Sequence, residues 1–346
     1  VGLNRLLDYT LIKLKKDLEL NGFQGYRAKQ IFEQVSKGQF DFTQMKILPE
    51  PLRHYLRDRF TAMSLTIEKV FKSSVDETHK YLFKLEDGAI IEAVFMAYDH
   101  GNSVCITTQV GCKMGCTFCA SYIGGFKRNL SSGELLEQIL AIQSHQGKRI
   151  SHVVLMGSGE PLDNYEQVLS FFKQIASKEI LDLSLRHITV STCGLVPKIK
   201  ALAQEGLPIT LAVSLHAPND TMRTEIMPIN KTYPIAEVLE AAEAYAEITG
   251  RRVTFEYALI ENFNDGLEQA KELASKLKGL LCHVNLIPIN PVVENQYVPP
   301  NTKRIHGFAK VLEERRIPVS IRRELGSDIN AACGQLRNQY MEMKGL

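Results

Sequence analysis

Residues 187–216 read HITVSTCGLVPKIKALAQEGLPITLAVSLH. "HITVST" and "ITLAVSLH" are short runs rich in β-branched and other apolar residues. Between them, "VPKIKALAQEG" spaces its apolar residues like one face of a helix, opened by Pro197 and stopped by Gly206. Strand, helix, strand is the unit of a parallel sheet, because parallel neighbours need a long crossover to join them.

The same alternation extends in both directions. "SVCITTQ", "HVVLMG", "VTFEYALI", "HVNLIPI" and "VSIRR" read as further strands, and "SSGELLEQILAIQSHQ", "YEQVLSFFKQIAS", "AEVLEAAEAYAEITG" and "GLEQAKELASKLKG" as helices. The expectation is an α/β fold, a parallel sheet wrapped by helices and either open or closed into a barrel. The N-terminal part differs. "LIKLKKDLELNG", "RAKQIFEQVSKG" and "EPLRHYLRDRF" form a small helical unit, and "HKYLFKLEDGAIIEAVFMAY" reads as a hairpin around Asp87-Gly88. The expected division is a helical accessory domain over residues 1–85 and a core over residues 86–346. "NPVVENQYVPPNTK" reads as a long loop.

Composition excludes several classes. With 346 residues, 45% hydrophobic and 23% charged, the chain is long and apolar enough for a full soluble core. No apolar run approaches a membrane span, and the first thirty residues lack the apolar centre of a signal peptide. Seven cysteines at irregular spacing do not form a secreted disulfide framework, so reduced thiols in a cytoplasm are expected. A net charge of +2 does not announce a nucleic-acid binder. Two local stretches are more basic: "IKLKKDLELNGFQGYRAKQ", with Lys13, Lys15, Lys16, Arg27 and Lys29, and "EERRIPVSIRRELG". Either they hold phosphate or they are ordinary solvated faces.

Unusual polar residues sit where the strands end: Gly157 to Pro161, Ser191, Ser214, His216 and Asn290. In barrel-like α/β folds the C-terminal ends of the strands share one rim, where the active site is built. Groups scattered in sequence would converge there.

The chemistry concentrates at "CKMGCTFC", Cys112, Cys116 and Cys119, with Gly111 and Gly115 permitting the turns. Three thiols this close suit an iron–sulfur cluster with one iron left open, or a zinc ion completed by His145 or His152. C-x3-C-x2-C with Phe118 before the last cysteine resembles the signature of the radical S-adenosylmethionine (SAM) enzymes. That resemblance implies a [4Fe-4S] cluster whose fourth iron is chelated by SAM, and a 5′-deoxyadenosyl radical made from it. "MGSGEP" (Met156–Pro161) resembles the glycine-rich SAM site of the same enzymes.

A closer resemblance runs over essentially the whole chain, to the RNA adenosine methyltransferases RlmN and Cfr. It is carried by "YRAKQI", "QVGCKMGCTFCA", "GEPLDN", "STCGLVPKI", "SLHAPND", "MPIN", "HVNLIPINP" and "DINAACGQLR". It implies a partial (β/α)6 barrel and cytoplasmic methylation of an adenosine ring carbon, C2 or, as in Cfr, C8, in 23S rRNA, with tRNA as a further substrate. It also implies an external electron donor such as flavodoxin. By the same resemblance Cys112, Cys116 and Cys119 hold the cluster. Gly159, Glu160, Ser191, Ser214, Leu215, His216 and Asn290 form the SAM pocket, and two SAM are consumed per turnover. Cys333 would carry the methyl group as a covalent relay. Cys105 would release the product through a transient disulfide, and Glu92 would accept a proton. Without the family, Cys333 and Cys105 read as core thiols and Glu92 as a strand-edge charge. Two positions depart from the family pattern: Ser158 stands where Met is usual, and Ser121-Tyr122 where Thr-Gly is usual. The Ser158 change is expected beside the reaction centre.

Overall fold

The computed structural model describes residues 2–291, 296–331, 334 and 335. Three helices come first, α1 (Leu11–Leu20), α2 (Arg27–Ser36) and α3 (Glu50–Arg59). A ten-stranded sheet follows: β1 (Thr66–Lys72), β2 (His79–Lys84), β3 (Ile90–Tyr98), β4 (Gly101–Cys105), β5 (His152–Leu155), β6 (Ile188–Thr192), β7 (Thr210–Ser214), β8 (Val253–Leu259), β9 (Cys282–Pro288) and β10 (Val319–Ile321). The strands lie side by side in chain order from one edge to the other.

Connection length decides their direction. Between β2 and β3 the Asp87-Gly88 turn closes tightly, with Gly88 at φ 82° and Leu85 N–H donating to the Ala89 carbonyl at 2.8 Å. The first four strands are accordingly antiparallel. From β4 to β10 every neighbour is parallel. Helices supply the crossovers: α4 (Ser132–Gln146), α5 (Tyr165–Ile175), α6 (Val196–Gln204), α7 (Asp220–Ile226), α8 (Ile235–Thr249), α9 (Leu267–Leu277) and α10 (Thr302–Glu314). Strands β4 to β9 each lead into helix, and β10 ends the series at a sheet edge, so this is an α/β partial barrel of six strand–helix units.

Helix α4 shows why this order is stable. Ser131 and Glu134 form a reciprocal capping box, and Gly147 ends the helix at φ 61°. The helix is buried on nearly all sides because the sheet covers one face and the N-terminal segment another. Leu6, Leu7 and the apolar faces of α1 to α3 belong to the same continuous core as Leu135, Ile139 and the sheet.

Three elements lie outside the expectations from sequence. Strand β1, "TIEKVFK", is an exposed edge without an apolar alternation, and α7 spans only seven residues. Helix α10 follows the Pro- and Asn-rich loop and carries Gly307 at its centre, which hides an otherwise regular apolar face of Ile305, Phe308 and Leu312.

Candidate functional site

The site begins where β4 ends. Beyond Cys105 the chain continues beside the turn that follows β5. Ile106 N–H donates to the Val154 carbonyl (3.0 Å), Gly157 N–H to Ile106 (3.1 Å) and Thr108 N–H to Ser158 (2.9 Å). Gly159 sits at φ 103°, and a Cβ there would lie 2.6 Å from Gln109 Cβ, so no other residue fits. The glycine-rich turn therefore has a packing reason in this chain: it lets two loops touch. Ser158 belongs to this seam through its backbone, its N–H donating to Thr107 Oγ1 at 3.1 Å. Its neighbours Gly157 and Gly159 line the cavity, which keeps Ser158 at its edge.

Glu160 is buried next in line. One carboxylate oxygen accepts from Leu162 N–H (3.0 Å), the other from Cys193 N–H (2.8 Å), and burial raises its pKa above the usual carboxylate value. These bonds tie the β5 turn to the end of β6. Ser191 lies in β6, and Ser214 ends β7. His216 follows in a left-handed conformation, φ 57°. Its Nδ1 accepts from Ala258 N–H (2.9 Å), so the neutral ring carries its proton on Nε2. Burial and the nearby Arg223 guanidinium push its pKa down to about 3. Phe118 packs edge-on against it, ring centroids 4.8 Å apart.

One cavity gathers these groups. Cys112, Cys116, Cys119, Gly159, Glu160, Ser191, Ser214, His216 and Asn290 all line it. Leu215 does not; it is fully buried in the core beneath. Burial and the neighbouring Cys119 raise the pKa of Cys112 to about 12 and that of Cys116 well above its ordinary value. Buried thiols so placed keep their protons until a cation displaces them, as a coordinating metal does. The donor set is all sulfur and suits an iron–sulfur cluster. Zinc with His145 or His152 does not fit. His145 Nδ1 is 2.9 Å from the Tyr81 hydroxyl, and His152 opens β5 at the opposite end of the strands, stacked on His187. Among the described residues, no three His, Cys, Asp or Glu side chains converge on a single ion.

A second chamber adjoins the first, sharing Met156, Ile287, Ile289, Asn290 and Arg322 as walls. Cys105 lines it, packed with Val94, Met96 and Ala331. Glu92 lines neither chamber. It is buried in β3 on the face that also presents Val94 and Met96, and its backbone carbonyl accepts from Thr107 Oγ1 at 2.6 Å. Cys333 lies outside the described residues, and no disulfide joins cysteines among those described. The residues on either side of it are informative. Ala331 lines the Cys105 chamber. Gly334 lines the cysteine-loop cavity, where its carbonyl accepts from Ala120 N–H at 2.7 Å.

Sequence reasoning missed two groups. Glu256, in β8, is a buried carboxyl lining the first cavity, bonded to Asn285 Nδ2 at 2.8 Å. An acidic residue inside the apolar run "VTFEYALI" was the available signal. Arg223 is fully buried beneath the cavity floor and donates to the carbonyls of Cys193, Ser214 and Leu215. No sequence pattern marks it.

Residues 106–274 match the radical SAM superfamily. The chain is 52% identical over 98% of its length to the probable dual-specificity RNA methyltransferase RlmN of Clostridium beijerinckii, covering 96% of that protein. With the RlmN counterpart from Clostridium tetani the identity is 51%, over 97% of each. The crystal structure of a radical SAM methyltransferase from Sphaerobacter thermophilus matches with a TM-score of 0.94 at 43% identity, over 96% of this chain and 99% of that one. A thiol triplet opening on one cavity, together with these full-length likenesses, places the chain in the radical SAM superfamily and, within it, in the RlmN family of RNA methyltransferases.

Proposed function

We propose that this enzyme methylates C2 of an adenosine in 23S rRNA and in tRNA, with Cys333 as the methyl-carrying nucleophile and Cys105 as the thiol that releases the product. One observation carries the reading. Two chambers share a wall, one lined by the thiol triplet and the other by Cys105, and the residues flanking Cys333 line one chamber each. Described chain on both sides of Cys333 thus reaches the two chambers, which supports a carrier that would take up a methyl group in one and meet Cys105 in the other.

When bound, a [4Fe-4S] cluster and SAM would supply an electron, a methyl group and the radical that abstracts hydrogen. Cys112, Cys116 and Cys119 would hold the cluster. Gly159, Glu160, Ser191, Ser214, His216 and Asn290 would surround SAM, with Leu215 as packing beneath. The apolar walls, Met156, Ile287 and Ile289 among them, exclude water from the chemistry. Adenine C2 is electrophilic, so a carbon already attached to the Cys333 sulfur must be delivered to it. Glu92 would accept the ring proton as aromaticity returns. The adduct would also give up one electron for the ring to recover. Attack by the Cys105 thiolate on Cys333 Sγ would then break the S–C bond, and the freed methylene would take up a proton to become the methyl group. The disulfide left behind must be opened by a thiol reductant before the next turnover. An external donor such as flavodoxin would supply the electron.

The N-terminal unit expected over residues 1–85, whose last part contributes β1 and β2 to the sheet, would dock RNA through the exposed Lys13, Lys15 and Lys16 of α1. A loop adenosine suits the enclosed site, because its base is reached without opening a duplex. The expected compartment is the cytoplasm. No helix among the described residues is long and apolar enough to cross a membrane.

Nucleoside mass spectrometry tests the reading, on ribosomal RNA and tRNA treated anaerobically with reconstituted protein, SAM and reductant. The expected product is 2-methyladenosine in both RNAs, and Cys333→Ala should still cleave SAM while methylating neither. 8-Methyladenosine would assign the other ring carbon. RNA methylation by the Cys333→Ala variant would overturn the relay.

A further inference from the structure

The chain approaches Cys333 through residues 326–331, and this stretch is gripped by a hairpin more than two hundred residues earlier in sequence. The turn between β1 and β2 is pre-shaped. Ser73 N–H donates to the Thr78 carbonyl (2.9 Å), Ser73 Oγ accepts from the N–H groups of Val75 and Asp76 (3.2 Å each), and Asp76 Oδ1 accepts from Thr78 N–H (2.8 Å). With its own backbone satisfied, the turn reaches across. Asp76 Oδ2 accepts from Gly326 N–H at 2.9 Å. Asp328 answers in the other direction, accepting from Ser73 Oγ (2.8 Å), Ser74 N–H (2.7 Å) and Ser74 Oγ (2.9 Å). Carboxylate acceptors make these bonds stronger than neutral ones.

The inner end of the grip is Lys80 in β2. Its side chain is buried, and Nζ donates to the Asn330 carbonyl at 3.2 Å. Cross-strand register places Lys80 opposite Val94 and Val94 opposite Cys105, so all three share the face that the second chamber uses. Lysine is rarely buried without a partner. The segment itself is folded to fit. Gly326 and Asn330 are both left-handed, at φ 61° and 49°, and Ala331 N–H returns to the Gly326 carbonyl at 3.0 Å. A Cβ on Gly326 would lie 2.8 Å from Thr78 Cγ2 and 2.9 Å from Ala331 Cβ. The outcome is that Ala331 packs against Val94, Met96 and Cys105.

We propose that the β1–β2 hairpin is a clasp that fixes residues 326–331, the stretch leading to Cys333, against the second chamber, with Asp76, Asp328 and Lys80 as its positioning residues. The proposal rests on the relay reading above. It assigns a purpose to the exposed β1 edge and its turn, which the chemistry does not otherwise use; Lys80 also acts on the Glu92 charge, so Asp328→Ala carries the comparison of RNA methylation. The clasp touches neither the cysteine triplet nor the strand ends, so loosening it separates delivery of the methyl carrier from cleavage of SAM.

The test uses Asp328→Ala and Lys80→Met, with Lys80→Arg as the variant that keeps a donor. In protein without cluster, amide hydrogen exchange of residues 326–331 should quicken by about tenfold while β5 to β8 keep wild-type protection. In reconstituted protein, iron and sulfide content and 5′-deoxyadenosine formation should match wild type. Methyl occupancy of Cys333, read by peptide mass, and RNA methylation should fall on the order of 10- to 100-fold, the penalty of a misplaced reacting group. Lys80→Arg should recover most of both. Faster exchange with undiminished Cys333 methylation would overturn the clasp. So would loss of iron and SAM cleavage in step with methylation, since that is general destabilisation. Failure of the relay itself is read separately: wild-type protein would then carry no methyl group on Cys333.

Discussion

Arg223 is among the largest fully buried side chains of the described residues. Its Nε donates to the Leu215 carbonyl (3.2 Å), Nη1 to Asn230 Oδ1 (2.9 Å) and the Tyr233 carbonyl (3.3 Å), and Nη2 to the carbonyls of Cys193 (2.7 Å) and Ser214 (3.1 Å). Burial lowers its pKa, but a guanidinium does not lose its proton in a protein. Burial keeps the Cys116 and Cys193 thiols protonated and the His216 ring neutral; the fixed Arg223 charge offsets part of the thiols' upward shift and adds to the downward shift of His216. Truncating Arg223 strips several buried carbonyls of their donor at once. Arg223→Met should therefore cost roughly 3 kcal/mol or more, read as a lower denaturant midpoint of the cluster-free protein. Arg223→Lys should fall between the two, because an ammonium has three donors and no planar fork. A loss below about 1 kcal/mol for Arg223→Met would show that the carbonyls find other donors. Nothing in "NDTMRTEIMPIN" distinguishes this arginine from the solvated ones, since burial of a charge is decided by elements far away in sequence.

At the scale of elements, two left-handed glycines separate local turn chemistry from the close approach of loops. Gly88, φ 82°, turns the β2–β3 hairpin with no atom within 4 Å of where a Cβ would stand. Gly88→Ala should cost only the left-handed penalty, about 1–2 kcal/mol, and leave methylation at its wild-type rate. Gly159→Ala adds a collision with Gln109 Cβ and its backbone nitrogen at 2.6 and 2.9 Å, on the seam that sets the cavity wall. It should keep the fold by circular dichroism while lowering SAM affinity by about tenfold or more, measured by titration. Equal effects from the two would mean that the seam does not shape the cavity. The difference mirrors what was legible. The Asp-Gly turn and the β–α alternation follow from local preferences, and they were readable. So was the gathering of Ser191, Ser214, His216 and Asn290 at one rim, because strand ends converge in any such fold. Strand β1 was not, because an exposed edge needs no apolar alternation. The clasp was not either, because Asp76 and Asp328 read as ordinary surface charges until the sheet brings them together.

Over the whole molecule, the N-terminal segment and the sheet are joined by a buried charge network rather than by a linker. Arg5 lies 3.4 Å from Glu134 and 3.5 Å from Glu137, both on α4, and 3.5 Å from Glu86 in the hairpin turn. Glu137 Oε2 accepts from Ser64 N–H (3.0 Å), Ser64 Oγ (2.7 Å) and Leu65 N–H (3.0 Å), fastening the chain just before β1. Burial outweighs these donors and the Arg5 charge and pushes the Glu137 pKa up to about 7. The sign follows from linkage. Between about pH 4.5 and 7 the folded chain holds a proton that the unfolded chain has released, so stability falls as pH rises across that window. The contribution is fully present below the unfolded pKa and lost as pH passes the folded one, on the order of 3 kcal/mol in all. Glu137→Gln keeps an acceptor for the Ser64 and Leu65 donors without the titration. Denaturant midpoints of the cluster-free wild type should decline from pH 5 to pH 8 relative to this variant. Parallel curves for the two proteins would mean that Glu137 is ionised throughout, with Arg5 and the three donors compensating its burial fully.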